Sequence, residues 1–126
     1  TEEQIEARIP DIIEFCQLGD YIDLPLHSYS NGMRTRVGFA VATSVDADIL
    51  LIDEVFGTGD RVFRKRAAER VQKLIAESST IVMAVHGENM LRQFCNKVMW
   101  IEHGHIREFG PTDDVLEKYQ KEEAKG

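Results

Sequence analysis

The sequence lacks three features that would assign the protein to a specialised class. Its two cysteines, Cys16 and Cys95, are too few and too far apart for a disulfide framework, and neither has metal-ligand spacing. No apolar run approaches the roughly 20 residues that cross a bilayer. No lysine or arginine run occurs and the formal net charge is −7, so nucleic acid is not an expected partner. The acidic start differs from a secretory signal, and we expect both cysteines to pack as small apolar residues in the cytosol.

The composition of the chain, 43% hydrophobic and 29% charged residues, is typical of a globular protein. Apolar residues at helical spacing predict two helices before residue 45, and later strand–helix–strand spacing predicts a parallel sheet. Both apolar runs of this sheet are expected to be buried on both faces. A hairpin and a last helix follow. The predicted helices of the first half lie over 2–17, with Gly19 as the residue that ends the helix, and after Ser30, where Arg36 can reach solvent. The later predicted elements are strands at Ile49–Ile52 and Thr80–Val85 around a helix at Arg61–Glu77, a helix with Met90, Leu91, Phe94 and Cys95 on one face, a hairpin turning at His103-Gly104, and a helix after Thr112.

Two adjacent carboxylates, Asp53 and Glu54, follow the first apolar run of the sheet. The carboxyl edge of a parallel sheet is where open α/β proteins bind ligands. One carboxylate there can hold magnesium while its neighbour deprotonates an attacking water. The alternative is a solvated turn at the end of a strand.

A second candidate segment, Tyr29-Ser30-Asn31-Gly32-Met33, opens the second helix. Ser30 is a good N-cap, and Gly32 would let an anion approach the first-turn N–H groups. An ordinary capped helix explains the same residues. The third candidate is His86 at the end of the second apolar strand, where it could donate a hydrogen bond to a phosphate or serve only a structural role.

The order and spacing of these segments resemble the second half of the ATPase domain of ABC transporters. The segment Tyr29–Met33 looks like a variant of the signature Leu-Ser-Gly-Gly-Gln, with Asn31 and Met33 replacing Gly and Gln. The run Ile49–Glu54 looks like the Walker B strand and the catalytic glutamate that follows it. The string Gly57-Thr58-Gly59-Asp60 falls at the D-loop, and His86 falls at the switch histidine. The surrounding strings are similar to ATPases that export O-antigen, capsular polysaccharide and teichoic acid from bacteria.

The resemblance implies an α/β fold, a partial P-loop NTPase domain. Residues 1–44 would form part of the helical subdomain with the signature. Residues 45–126 would form the C-terminal part of the ATPase core, with parallel strands, flanking helices and a C-terminal hairpin. No Gly-x-x-x-x-Gly-Lys-Ser/Thr loop occurs in the sequence. We therefore expect a fragment that is inactive alone.

The ligands that the resemblance implies are ATP and Mg²⁺. Asp53 would help bind the metal, Glu54 would be the general base, and His86 would be the switch. The remaining predicted residues would contact nucleotide: Ser30, Asn31, Gly32, Met33, Gly57, Thr58, Gly59 and Asp60.

The resemblance also implies partners and a location. Two ATPase subunits would form a homodimer in the intact protein and would drive a transmembrane permease that passes a lipid-linked glycan, at the inner face of the bacterial membrane. Two alternatives remain open. One is a non-catalytic partial domain that contributes only the signature in trans. The other is a soluble ABC ATPase of DNA repair or translation, which the acidic balance disfavours.

Overall fold

The computed structural model describes residues 1–53, 59–77 and 80–125, and the chain divides into two compact units, 1–84 and 85–126. The predicted order of elements is confirmed. The predicted boundary between residues 44 and 45 stays a prediction. The first unit contains α1 (Glu2–Cys16), short 3₁₀ helices at Gly19–Asp23 and Leu26–Ser28, α2 (Asn31–Ser44), β1 (Ile49–Asp53), α3 (Arg61–Ala76) and β2 (Thr80–Ala84). The second contains α4 (Glu88–Phe94), β3 (Lys97–Glu102), β4 (His105–Pro111) and α5 (Thr112–Glu123).

Helix α1 begins at a capping box and continues through Pro10 without a break. The Oγ1 of Thr1 accepts from the Gln4 N–H at 3.3 Å, and Oε1 of Gln4 accepts from the Thr1 nitrogen at 2.8 Å. The helix ends at Cys16, one residue before the predicted bound, and Gln17 rather than Gly19 is its left-handed C-cap. Its last carbonyls are satisfied from α3, because Arg66 donates to the carbonyls of Glu14 and Phe15 at 3.0 and 2.8 Å.

Three phenylalanines, one from each helix of the first unit, form its aromatic core. The rings of Phe15, Phe39 and Phe63 lie with centroids 5.5 to 5.9 Å apart, in one stacked and two edge-on pairs. All three are buried. Arg66 and Arg70 of α3 lie 5.2 and 4.6 Å from the centre of the Phe15 ring. Aromatic contacts therefore tie α1 and α2 to α3.

Strands β1 and β2 pair in parallel, which confirms the predicted strand–helix–strand unit. The expectation that both faces would be buried is wrong. Ile52 is buried, but Leu51 is 74% exposed and its cross-strand partner Val82 is also exposed. Side chains alternate along a strand, so one face of this pair is an apolar surface that the described residues do not cover.

The second unit places a helix on a hairpin. Strands β3 and β4 are antiparallel and turn at His103 and Gly104, which both have positive φ. This is the two-residue turn that the sequence predicts. Helix α5 covers one face of the hairpin, where Trp100 meets Tyr119 edge-on at 5.3 Å.

Both cysteines are reduced and enclosed by neighbouring side chains. Cys16 is fully buried in the first unit and Cys95 is half-buried in the second. Burial raises the pKa of each thiol, which keeps it protonated and unreactive. Among the described helices, none is long and apolar enough to span a membrane.

Candidate functional site

The N-terminus of α2 has the form that the sequence predicts. Ser30 is the N-cap, and its Oγ accepts from the Met33 N–H at 3.2 Å. The backbone N–H of Arg34 donates to the Ser30 carbonyl, so the N–H groups of Asn31 and Gly32 are the remaining first-turn donors. The first turn contains no acidic side chain. The positive end of the helix dipole is therefore not neutralised from within the turn.

The backbone before α2 is held by side chains on both sides of Ser30. Tyr29 is buried, and its hydroxyl donates to the Ile22 carbonyl at 2.7 Å. Arg34 donates to the carbonyl of His27 at 3.2 Å. Ser30, Asn31 and Gly32 are exposed just beyond this anchor. The exposed turn is thus supported by a fixed backbone.

Packing among the described residues does not require glycine at position 32. Of those residues, a Cβ added there would meet only Ser30, whose Oγ lies 3.9 Å away, and Gly32 has no positive φ. Gly59 is different, because its φ is 109° and an added Cβ would lie 2.8 Å from the Phe63 ring. The fold explains Gly59 but leaves open space over Gly32.

Asp60 has a structural role of its own. It is the N-cap of α3, and its Oδ1 accepts from the Phe63 N–H at 2.9 Å. That hydrogen bond, more than the nearby Arg36 guanidinium, lowers the pKa of the carboxyl below its usual range. The Asp60 carboxylate therefore caps α3 fully at pH values above the ordinary carboxyl pKa. Its contribution is lost only as the pH falls below that value and the carboxyl becomes protonated.

Asp53 is the last residue of β1 and is exposed, level with Ala84 across the pair. Within residues 1–53, 59–77 and 80–125, no cluster of three or more His, Cys, Asp and Glu side chains is arranged to hold a metal ion. Glu54, Gly57 and Thr58 lie outside the described residues. The metal and general-base roles of Asp53 and Glu54 stay predictions.

The structure connects some of the candidate residues and leaves others in separate units. His86 is exposed and belongs to the second unit, whereas the other described candidates belong to the first. Within the first unit, Arg36 of α2 forms an ion pair with Asp60. The sequence interpretation assigned Arg36 to solvent. Its position two turns after Ser30, on a helix that follows a candidate site, is the signal that could have identified it.

The fold matches solved ABC ATPase structures. The ATP-binding subunit of an ABC transporter superposes with a TM-score of 0.82 at 21% identity, over 95% of this chain and 50% of that one. A dimeric ATP-binding cassette in a post-hydrolysis state, bound to ADP and Pi, superposes with a TM-score of 0.73 at 18% identity, over 89% of this chain and 49% of that one. The chain therefore has the α/β fold of ABC ATPase domains, and the predicted fold class is confirmed.

The sequence comparison finds relatives of higher identity than these structures. The chain is 39% identical over 121 residues to the teichoic acids export ATP-binding protein TagH of Staphylococcus saprophyticus, covering 96% of this chain and 46% of that protein. It is 38% identical over 118 residues to TagH of Listeria monocytogenes, covering 94% of this chain and 35% of that protein. The predicted resemblance to ABC transporter ATP-binding subunits of the polymer-exporting type is confirmed. The chain spans less than half the length of these relatives, and no family model matches it.

Proposed function

We propose that this chain is the signature and Walker B part of the ATP-hydrolysing subunit of a transporter that exports a bacterial cell-surface polymer. The similarity to two teichoic acids export ATP-binding proteins, over nearly the whole chain, carries this proposal. The exposed apolar face of the β1–β2 pair supports the idea that the chain is one part of a larger domain.

The first turn of α2 fits the terminal phosphate of ATP. Two backbone N–H groups, the helix dipole and the space over Gly32 favour an anion at this place. As the resemblance implies, the nucleotide would meet this turn while held by the phosphate-binding loop of a second subunit. Asn31 and Met33 would line the contact beside Ser30.

Asp53 fits a magnesium ion better than a transition metal. Magnesium commonly takes one or two carboxylates and completes its coordination with water and phosphate oxygens, so a three-residue cluster is not needed. The ion would neutralise phosphate charge. Glu54 would accept a proton from the attacking water, and His86 would orient that water and the terminal phosphate.

The proposed partners are a second ATPase subunit and a transmembrane permease that carries a lipid-linked glycan. The dimeric state of a neighbour in fold supports the first, and the export function in the names of the relatives supports the second. The chain would then act at the inner face of the cell membrane.

Changing Gly32 to aspartate tests the proposed phosphate contact. We expect Gly32→Asp to lower ATP turnover of the intact ATPase by about tenfold, because the new carboxylate repels the terminal phosphate. The fold should tolerate the change, since the position is open and an acidic side chain is favourable in a first turn. Phosphate release and thermal unfolding measure the two effects.

The matched control is Gly38→Asp on the same helix. Gly38 is exposed, and an added Cβ would meet nothing within 4 Å, but the residue lies away from the first turn. Its turnover should stay near that of the unchanged protein. Equal turnover in the two variants would contradict a phosphate site at the start of α2.

A further inference from the structure

An ion pair joins helix α2, which begins at one candidate nucleotide segment, to Asp60 of another. The Arg36 guanidinium donates to Oδ2 of Asp60, so the second turn of α2 is tied to the loop that precedes α3. Ser30 and Asp60 are thirty residues apart in sequence, and nothing local brings them together. The pair connects the loop at Gly59 and Asp60 to the helix that begins at Ser30, six residues beyond that turn.

The carboxylate of Asp60 is used twice. Its Oδ1 caps α3 through the Phe63 N–H, while its Oδ2 faces Arg36. The guanidinium also lies 5.7 Å from the centre of the Phe63 ring, and that ring fills the space beside Gly59. Phe63 in turn packs on Phe39 of α2. Arg36 therefore contacts both the carboxylate of Asp60, the N-cap of α3, and the ring of Phe63 in its first turn.

Stability alone is a poor explanation for this pair. Its side chains are 28% and 51% exposed, and ion pairs this open to solvent contribute little to stability. The aromatic core already joins α2 and α3 without it. What the pair adds is orientation, because the Phe63 N–H holds Oδ1 of Asp60 while Arg36 holds Oδ2, and the two contacts together fix the direction of the carboxylate.

We propose that Arg36 is a positioning residue for ATP hydrolysis, which fixes the loop of Gly59 and Asp60 relative to the α2 turn at Ser30. This inference rests on the function proposed above. The two segments would present a single surface to the nucleotide of the other subunit. Loss of the pair would let the loop and the turn move independently, and turnover would fall through misplacement.

A double-mutant cycle in the intact ATPase tests the proposal. Asparagine caps helices as well as aspartate does, so Asp60→Asn keeps the α3 cap but removes the charge that Arg36 requires. Arg36→Gln breaks the pair from the other side. We expect each change to lower kcat about fivefold and to alter the KM for ATP less than about twofold. The double variant should lose no more than either single variant, and Arg36→Lys should recover part of the loss.

A second ion pair in the same unit provides the control. Arg70 of α3 binds Asp11 of α1 through two hydrogen bonds of 2.7 and 3.1 Å, and it lies ten residues from Asp60, roughly 15 Å along the helix. Arg70→Gln should therefore leave kcat unchanged at temperatures well below unfolding. Three results would each overturn the proposal: unchanged kcat in Arg36→Gln, losses that multiply in the double variant, or an equal loss in Arg70→Gln.

A measurement on the intact ATPase without nucleotide separates this inference from the proposed function. Hydrogen exchange of the Phe63 amide reports the start of α3 and does not require ATP. We expect Arg36→Gln to speed this exchange severalfold while the urea midpoint changes little, and Arg70→Gln to leave it unchanged. An inactive wild-type ATPase would refute the proposed function. Unchanged exchange at Phe63 in Arg36→Gln would refute the positioning role.

Discussion

Replacement of Glu54 by glutamine is expected to lower ATP turnover of the intact ATPase by about 100-fold or more. Glutamine keeps the shape and most hydrogen bonds of the side chain, but it cannot take a proton from water. Glu54 lies outside the described residues, so the expectation depends on its place directly after Asp53, the last residue of β1, and on the resemblance. Steady-state phosphate release is the measurement.

Nucleotide binding should survive the same replacement. Bound ATP that is not hydrolysed would hold two subunits together, so gel filtration with Mg-ATP should show a dimer for Glu54→Gln. Asp53→Asn should instead weaken magnesium-dependent binding, which distinguishes the two neighbouring carboxylates. Normal turnover in Glu54→Gln would refute the general-base role and favour a solvated turn at the end of β1.

Replacement of Phe63 by alanine is expected to cost about 3 to 5 kcal/mol in the free energy of unfolding. Its ring is 3% exposed and contacts the rings of both Phe15 and Phe39, so truncation leaves a cavity where α1, α2 and α3 meet. Domains of this size are stable by only about 5 to 15 kcal/mol, so the variant should be close to unfolding. Urea denaturation of the 126-residue chain, followed by circular dichroism, measures the loss.

The neighbouring residue gives the control for this change. Val62 is 63% exposed on the same helical turn, and Val62→Ala should change the unfolding free energy by less than about 0.5 kcal/mol. If Phe63→Ala does not fold, Phe63→Leu, which leaves a smaller cavity, should show an intermediate loss. Similar stability of Phe63→Ala and Val62→Ala would mean that the aromatic cluster is not the core of the first unit.

Features that depend on hydrogen bonds between near neighbours were predictable from sequence. Ser30 caps α2 through the amide three residues on, and the turn at His103 and Gly104 is made by two adjacent residues. The residues that form such features are close together in sequence, so a short motif identifies them. The parallel pairing of β1 and β2 was predictable for a related reason, because strands separated by one helix can be connected in few ways.

Features that depend on distant residues were not predictable. An apolar run indicates a strand but does not say what covers each face, and Leu51 is consequently exposed where burial was expected. The partner of a long arginine side chain is set by tertiary packing, so Arg36 was assigned to solvent although it binds Asp60. Likewise, the sequence does not indicate that Arg66 of α3 donates hydrogen bonds to the last carbonyls of α1, those of Glu14 and Phe15.

That contribution of Arg66 has a consequence for the order of events during synthesis. Arg66 follows the carbonyls that it binds, those of Phe15 and Glu14, by 51 and 52 residues. A nascent chain leaves the ribosome N-terminal end first, so α1 emerges well before the side chain that completes it. Until α3 emerges, the Phe15 ring also lacks its contact with Phe63. Helix α1 is therefore completed only after α3 has emerged, and its apolar side remains available to chaperones during that interval.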